Sequence, residues 1–156
     1  MRYILLLLLL PLLLIAACRA AKPIKSTSGI SGMVVELSAS SDCVQPSETV
    51  KLRATVINSS TKDFKVKLKD RAVFDLVVNT NDRITRWSNG KAMTSELTEL
   101  ELKPGQSRML EMNWQAQCCD IIRVTAPFIY SENFIDDPIA PYVGIHVQNC
   151  VGPLGP

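Results

Sequence analysis

Residues 72–114 read AVFDLVVNTNDRITRWSNGKAMTSELTELELKPGQSRMLEMNW, and their reading decides the fold. Phe74, Leu76 and Val78 fall on one side of an extended chain, Asp75 and Val77 on the other, the period of a half-buried strand. Asn79-Thr80-Asn81-Asp82 follows as a turn, because Asn and Asp bond their own backbone and tolerate left-handed conformations. Arg83–Trp87 is a second short strand, ended by the turn Ser88-Asn89-Gly90. Thr94–Leu100 fits one helical turn, although Leu100 and Leu102 also fit a strand. In Lys103-Pro104-Gly105-Gln106, Pro presets φ at the second turn position and Gly permits positive φ at the next. Leu110, Met112 and Trp114 then alternate again. Short strands joined by tight turns describe a β-sandwich, and the stretch holds no catalytic motif.

Outward from it, more strands come at sandwich spacing. Met33–Leu37 is the first, and Ser41–Ser47 is a loop. Val50, Leu52, Ala54 and Val56 alternate with Lys51, Arg53 and Thr55, and Asn58–Thr61 turns the chain. That turn also spells a glycosylation sequon, Asn58-Ser59-Ser60, which is read as a turn only. Phe64, Val66 and Leu68 face inward against outward Lys65, Lys67 and Lys69. Asp120–Thr125 and Tyr142–Val147 complete the set. The expected fold is all-β, an immunoglobulin-like two-sheet antiparallel sandwich of about seven or eight strands. It occupies residues 32–151, with a tail at 152–156.

The same residues carry a family resemblance. F-D-L-V-V at 74–78, the turn, R-x-T-R-W-S at 83–88, Met93-Thr94, L-x-L-K-P-G-Q at 100–106 and the closing Trp114 resemble the intracellular proteinase inhibitor (BsuPI) family. Agreement extends upstream through Leu52–Ser60, so the resemblance spans residues 50–114. It implies a protein-binding sandwich with a protease as a possible partner, presenting a loop that a protease binds without efficient cleavage. The chain departs from the family after residue 125: where members carry a tight Gly-Thr-Tyr-like hairpin, Ala126–Pro141 is long, with three prolines and three aromatics. Long loops without secondary structure usually have a role, and aromatics are enriched in recognition hot spots. Phe128, Tyr130, Phe134, Asp136 and Asp137 are therefore the candidate partner-binding residues. The competing expectation is a loop that folds back and buries Phe128 and Phe134.

The amino terminus is a targeting signal. Met1-Arg2-Tyr3 precedes an apolar run, residues 4–17, that contains Pro11. It is shorter than the roughly 20 residues that span a bilayer as a helix, and it suits a signal-peptide core. Ile15-Ala16-Ala17-Cys18 resembles a bacterial lipobox, which implies cleavage after residue 17 and lipidation of Cys18. The expected location is the bacterial cell envelope, outside the cytoplasm, anchored to a membrane by more than one acyl chain. Residues 18–31, small and polar after the cysteine, read as a flexible tether reaching about 45 Å.

Four further cysteines, Cys43, Cys118, Cys119 and Cys150, form an even set in an exported chain, which points to two disulfides. Zinc is the alternative, but there is no Cys-x-x-Cys pair and the single His is His146. In sandwich order all four fall at one pole. Neighbours on an extended segment point apart, so Cys43 and Cys150 are each expected to take one of Cys118 and Cys119, in an order left open.

With 17 basic and 15 acidic residues the chain carries a net charge of +2, which gives no argument for nucleic acid. No phosphate loop, dinucleotide fingerprint or metal-ligand motif appears, and His146 is read on an outer strand face. The expectation is no catalytic residue, no metal and no cofactor. Lys62, Lys65, Lys67 and Lys69, with Lys51 and Arg53 taken as a neighbouring strand, are read as an outward face that discourages edge aggregation. Trp87 and Trp114 are read as core. Two functions compete: a protein-binding envelope lipoprotein that inhibits a protease, and an accessory envelope lipoprotein without inhibitory activity.

Overall fold

A computed structural model describes residues 21–81, 83–117, 121–131, 133 and 138–148. Eleven strands and one short helix occur among them. In chain order they are β1 (Ile24–Ile30), β2 (Met33–Ala39), β3 (Cys43–Val44), β4 (Thr49–Asn58), β5 (Phe64–Lys67), β6 (Val77–Asn79), β7 (Ile84–Arg86), α1 (Ser95–Thr98), β8 (Glu99–Leu102), β9 (Ser107–Gln115), β10 (Ile121–Thr125) and β11 (Tyr142–Val147). Four make an antiparallel sheet, β1-β2-β4-β9, and five a second, β3-β11-β10-β6-β7. All neighbours in the second sheet are antiparallel except β3 and β11, which run parallel with His146 opposite Cys43. A small third sheet, β5-β8, accompanies them.

The expected sandwich is therefore present, with more strands than expected because β1 and β3 form where the sequence reads as a tether and a loop, and β8 takes the strand alternative at Leu100 and Leu102. Alternation does its work best in β4, where Val50, Leu52, Ala54 and Val56 are wholly buried. They join Val35 and Leu37 of β2 in one core with Ile122, Val124, Val143 and Ile145 from the second sheet. Burial of each such Val, Leu or Ile side chain stabilises by about 1.5–3 kcal/mol. Trp114 is core as expected, and Trp87 is half-buried against it.

The alternation read into residues 74–78 does not hold. Phe74, Asp75, Leu76, Val77 and Val78 are all buried. The face expected to be wet is covered by backbone bonds from two sides: Trp87 N–H donates to Leu76 O at 2.8 Å, and Asp75 N–H donates to Pro127 O at 3.1 Å. The loop read at residues 41–47 likewise contains β3.

The tether is also corrected. Residues 24–30 are not a flexible spacer: all seven pair with β2, from Ile24 opposite Ala39 to Ile30 opposite Met33. Between the strands lies a two-residue turn, Ser31 at φ 50° and Gly32 at φ 80°, the left-handed pair that matches strand twist in tight hairpins. Lys-Ser-Thr-Ser looks like linker composition, but an edge strand wetted on one face tolerates it. Ile24 supplies the apolar contact to the core.

Asn58 is wholly buried at the end of β4. Its amide donates to Lys62 O at 2.8 Å and Leu102 O at 2.9 Å, while its oxygen accepts from Ser60 N–H at 3.0 Å and Ser60 Oγ at 2.7 Å. An amide so committed is closed to glycan attachment, so the sequon is a turn, and a tie from the first sheet to β8.

A tether and a hairpin respond differently to Gly32→Ala. The left-handed φ alone costs about 1–2 kcal/mol for a residue with a Cβ. The new Cβ would also stand 2.6 Å from Ser60 Cβ. Urea unfolding should register a loss of at least about 1–2 kcal/mol, where a flexible tether would leave the midpoint unmoved.

Candidate functional site

The sandwich has two poles. At one, β1 begins, β9 and β11 end, and Cys43 lies in β3. Asp42 N–H donates to Lys22 O at 2.9 Å and His146 N–H to Asp42 O at 2.9 Å. Beside them Ser47 N–H donates to Ala116 O and Ala116 N–H to Glu48 O, and Gln148 N–H donates to Val44 O. Cys43 is disulfide-bonded, and the cysteine it joins lies outside the described residues. So do Cys18, Cys118, Cys119 and Cys150. The described residues nearest the last three, Gln117, Ile121 and Gln148, belong to this same pole.

At the other pole are the end of β10, the start of β11 and the chain leaving β7. Here Asp75, 5% exposed, holds the turn after β7. Its Oδ1 accepts Leu76 N–H at 2.9 Å and Ser88 N–H at 3.1 Å; Oδ2 accepts Ser88 Oγ at 2.7 Å. The Arg86 guanidinium stands 3.8 Å from Oδ2. The sequence strings F-D at 74–75 and R-W-S at 86–88 are therefore one structural unit.

Beyond Ser88 the chain is exposed from Asn89 through Glu96. Lys91 N–H closes a turn on Ser88 O at 3.1 Å, with Gly90 at φ 74°. Its ammonium lies 2.8 Å from the Trp87 ring centroid, a cation–π contact. Desolvation there pulls Lys91 below the ordinary amine range, although Asp75 and Glu96 oppose the shift. Thr94 N–H donates to Ala92 O at 2.8 Å, placing Met93 at the apex of a γ-turn. The loop ends where α1 begins, with buried Leu97 and Thr98 returning bonds to Thr94 O at 3.0 Å.

Met93 overhangs a cavity of about 420 Å³ whose lining includes Asp75, Arg86, Ser88, Pro127, Ile129 and Pro138. The long segment after β10 thus forms one wall, but not through the residues expected to bind a partner. Phe128 is wholly buried, packed at 5.6 Å from Phe64 and 6.3 Å from Phe74 between ring centroids, and bridged to Phe74 and Ile139. Tyr130 is half-buried on the core. Phe134, Asp136 and Asp137 lie outside the described residues. Folding back removes Phe128 from any recognition surface and turns Pro127 and Ile129 toward the cavity instead. No sequence signal distinguished 127 and 129 from 128, because the segment has no sustained period.

The lysine face is divided. Lys51 and Arg53 lie on β4, whose neighbours are β2 and β9, not β5. Both pair with Glu111, whose carboxyl the Arg53 hydrogen bonds hold below the usual range. Lys65 and Lys67 pair with Glu101 and Glu99 across β8 at 3.1 and 2.5 Å. His146 is exposed on β11. Among the described residues, no group of three His, Cys, Asp or Glu side chains is placed to hold a metal, and no helix is long and apolar enough to cross a membrane.

Replacing Asp75 with Ala leaves Ser88 and two backbone N–H groups without their acceptor. Bonds to a charged group are worth about 1.5–3 kcal/mol each, so Asp75→Ala should lower unfolding free energy by about 2–3 kcal/mol or more. Ser88→Ala should cost less, since it removes one bond and leaves the two N–H donors satisfied. Equal losses in urea titration would contradict this ranking.

No curated protein matches the chain. Among solved structures, the CARDB domain of a Pyrococcus furiosus protein, in complex with di-metal ions, matches at 15% identity and TM-score 0.47, over 78% of this chain and 94% of that one. The C-terminal domain of wzt matches at 13% identity and TM-score 0.46, over 86% of this chain and 84% of that one. A β-glucosidase from Listeria innocua matches at 16% and 0.42, over 77% of this chain but 17% of the enzyme. The family model described as intracellular proteinase inhibitor, BsuPI, matches residues 37–125. That match runs from within β2 to the end of β10, takes in strands of both main sheets and the Asp75–Ser88 unit, and covers more than half of the sequence: the chain belongs to the BsuPI family.

Proposed function

We propose that this protein is a proteinase inhibitor displayed on a lipid anchor at the bacterial cell envelope. The observation that carries the inhibitory half is the family match over residues 37–125. Its action is binding rather than catalysis. The pole carrying the cavity and the exposed 89–96 loop is the one that meets the protease.

The anchored half rests on the sequence Ile15-Ala16-Ala17-Cys18, and the two-pole geometry says how such an anchor would orient the domain. Lys22 is fixed to Asp42, its N–H donating to Asp42 Oδ1 at 3.0 Å, beside Cys43. A lipid on Cys18 would therefore hold the Cys43 pole toward the bilayer. From Cys18 to Ile24 the chain reaches only about 20 Å fully extended, less than half of what the tether reading allowed. Along the second sheet the register puts Cys43 level with Ile121 and Asp75 level with Pro127, six positions and roughly 20 Å apart. The cavity pole then faces away from the lipid, where an approaching protease finds it. A clamp of two disulfides among Cys43, Cys118, Cys119 and Cys150 would sit on the membrane side. Each would stabilise by about 2–4 kcal/mol, against digestion by the enzyme that the domain binds.

A soluble form lacking residues 1–18 should slow an extracellular serine protease at near-stoichiometric ratio. Inertness across a broad protease panel, with the domain itself digested within residues 126–141, would overturn inhibition and favour the accessory lipoprotein. For the anchor, metabolic labelling with a palmitate analogue should mark the full chain and be lost in Cys18→Ala. Unchanged labelling in that variant rules the lipobox out.

A further inference from the structure

We infer that residues Asn89–Ser95 form the protease-contacting loop, with Met93 the side chain offered to the specificity pocket of a serine protease that takes large unbranched or aromatic apolar residues. This inference rests on the inhibitor reading and names the site within it.

Five large hydrophobic side chains are exposed among the described residues: Ile30, Ile84, Met93, Met109 and Tyr142. Four of them belong to β1, β7, β9 and β11, where the backbone is committed to a sheet on at least one edge. A protease cleft closes around a protruding segment whose backbone is accessible. Met93, 49% exposed at the apex of its γ-turn, meets that requirement.

An inhibitor must also resist becoming a substrate, which calls for a loop held in its bound shape before the enzyme arrives. Both ends of this loop are fixed on buried groups. Ser88 is bonded through its N–H and its hydroxyl to the carboxylate of Asp75. Thr94 O accepts from Leu97 N–H, Thr98 N–H and, at 3.1 Å, Thr98 Oγ1. Between them, Lys91 is drawn back over Trp87, which takes the loop's one basic side chain out of contention as the presented residue. The neighbours Ala92 and Thr94 are small enough to let Met93 enter a deep pocket unobstructed. Pro127, Ile129 and Pro138 around the adjoining cavity provide a second, apolar contact strip for the enzyme's rim.

The test uses the native, disulfide-intact chain without its signal, assayed against subtilisin and chymotrypsin, with trypsin as the basic-specific control. The wild type should inhibit at least one of the first two. Met93→Asp should raise that inhibition constant at least about 100-fold, with the domain still unfolding cooperatively in urea, since about half of the side chain is already exposed. Met93→Lys should gain inhibition of trypsin. If the wild type inhibits an apolar-specific protease and Met93→Asp inhibits it equally, the loop assignment is wrong while the inhibitor reading stands. If the wild type inhibits neither, the Met93 assignment is overturned, and inhibition itself is decided by the broad panel. Should Met93→Asp lose stability as well as inhibition, the trypsin gain of Met93→Lys decides: its presence supports the assignment, its absence overturns it.

Discussion

A carboxylate in a protein interior has to be paired or it destabilises what surrounds it. Asp75 is 5% exposed, and each of its oxygens accepts from Ser88. The pairing determines more than its own neighbourhood. It fixes where the chain turns after β7, and so closes the edge of the second sheet. It also places Trp87 on the core and sets the starting point of the exposed loop. The Pro127 backbone contact to Asp75 N–H brings the long segment after β10 against the same residue. Phe128, inserted beneath that contact, plugs this end of the core.

The ion pairs make a different kind of contribution. Lys65–Glu101, Lys67–Glu99 and Arg53–Glu111 are all on exposed faces, where such pairs contribute from nothing to about 1 kcal/mol. Their effect is on surface character: cations that a charge count would pool into one basic patch are neutralised row by row. The fold rests on the aliphatic core and on two buried polar ties, Asn58 and Asp75. Each tie is satisfied locally, and each joins a sheet to a loop that the core alone would leave free.

Much of this was legible in the order of residues. Period-two alternation located β4, β5 and β9, because each has one wet face, and β2, β10 and β11 read as strands at sandwich spacing. Pro104-Gly105 marked its turn: Gln106 N–H reaches Lys103 O at 2.9 Å with Gly105 at φ 77°. The failures share a cause. Residues 74–78 bury both faces, and the second covering comes from chain segments ten to fifty residues away. Nothing local announces it. β1 is the opposite case, an edge strand polar enough to pass for linker, whose single strong signal was Ser-Gly spaced as a two-residue hairpin. The site was legible only as strings. F-D and R-W-S stood in the sequence as family marks, and their meaning as an acceptor and its donors needed the fold that brings residue 75 to residue 88.

The correction at β1 changes the geometry of the proposed function. A long tether would let the domain tumble above a membrane and present any face, so no pole would be privileged. Once residues 24–30 belong to the sheet, at most the few residues between Cys18 and Lys22 could serve as a spacer, and Lys22 itself is bound to Asp42. Lipidation would then impose an orientation, with the cysteine pole toward the bilayer and the Asp75 pole away from it. That asymmetry would give the Met93 loop a reason to lie where it does. A loop clamped at Ser88 and Thr94 at the far end of the second sheet, roughly 20 Å from the cysteine pole, is held in shape and would also be held out.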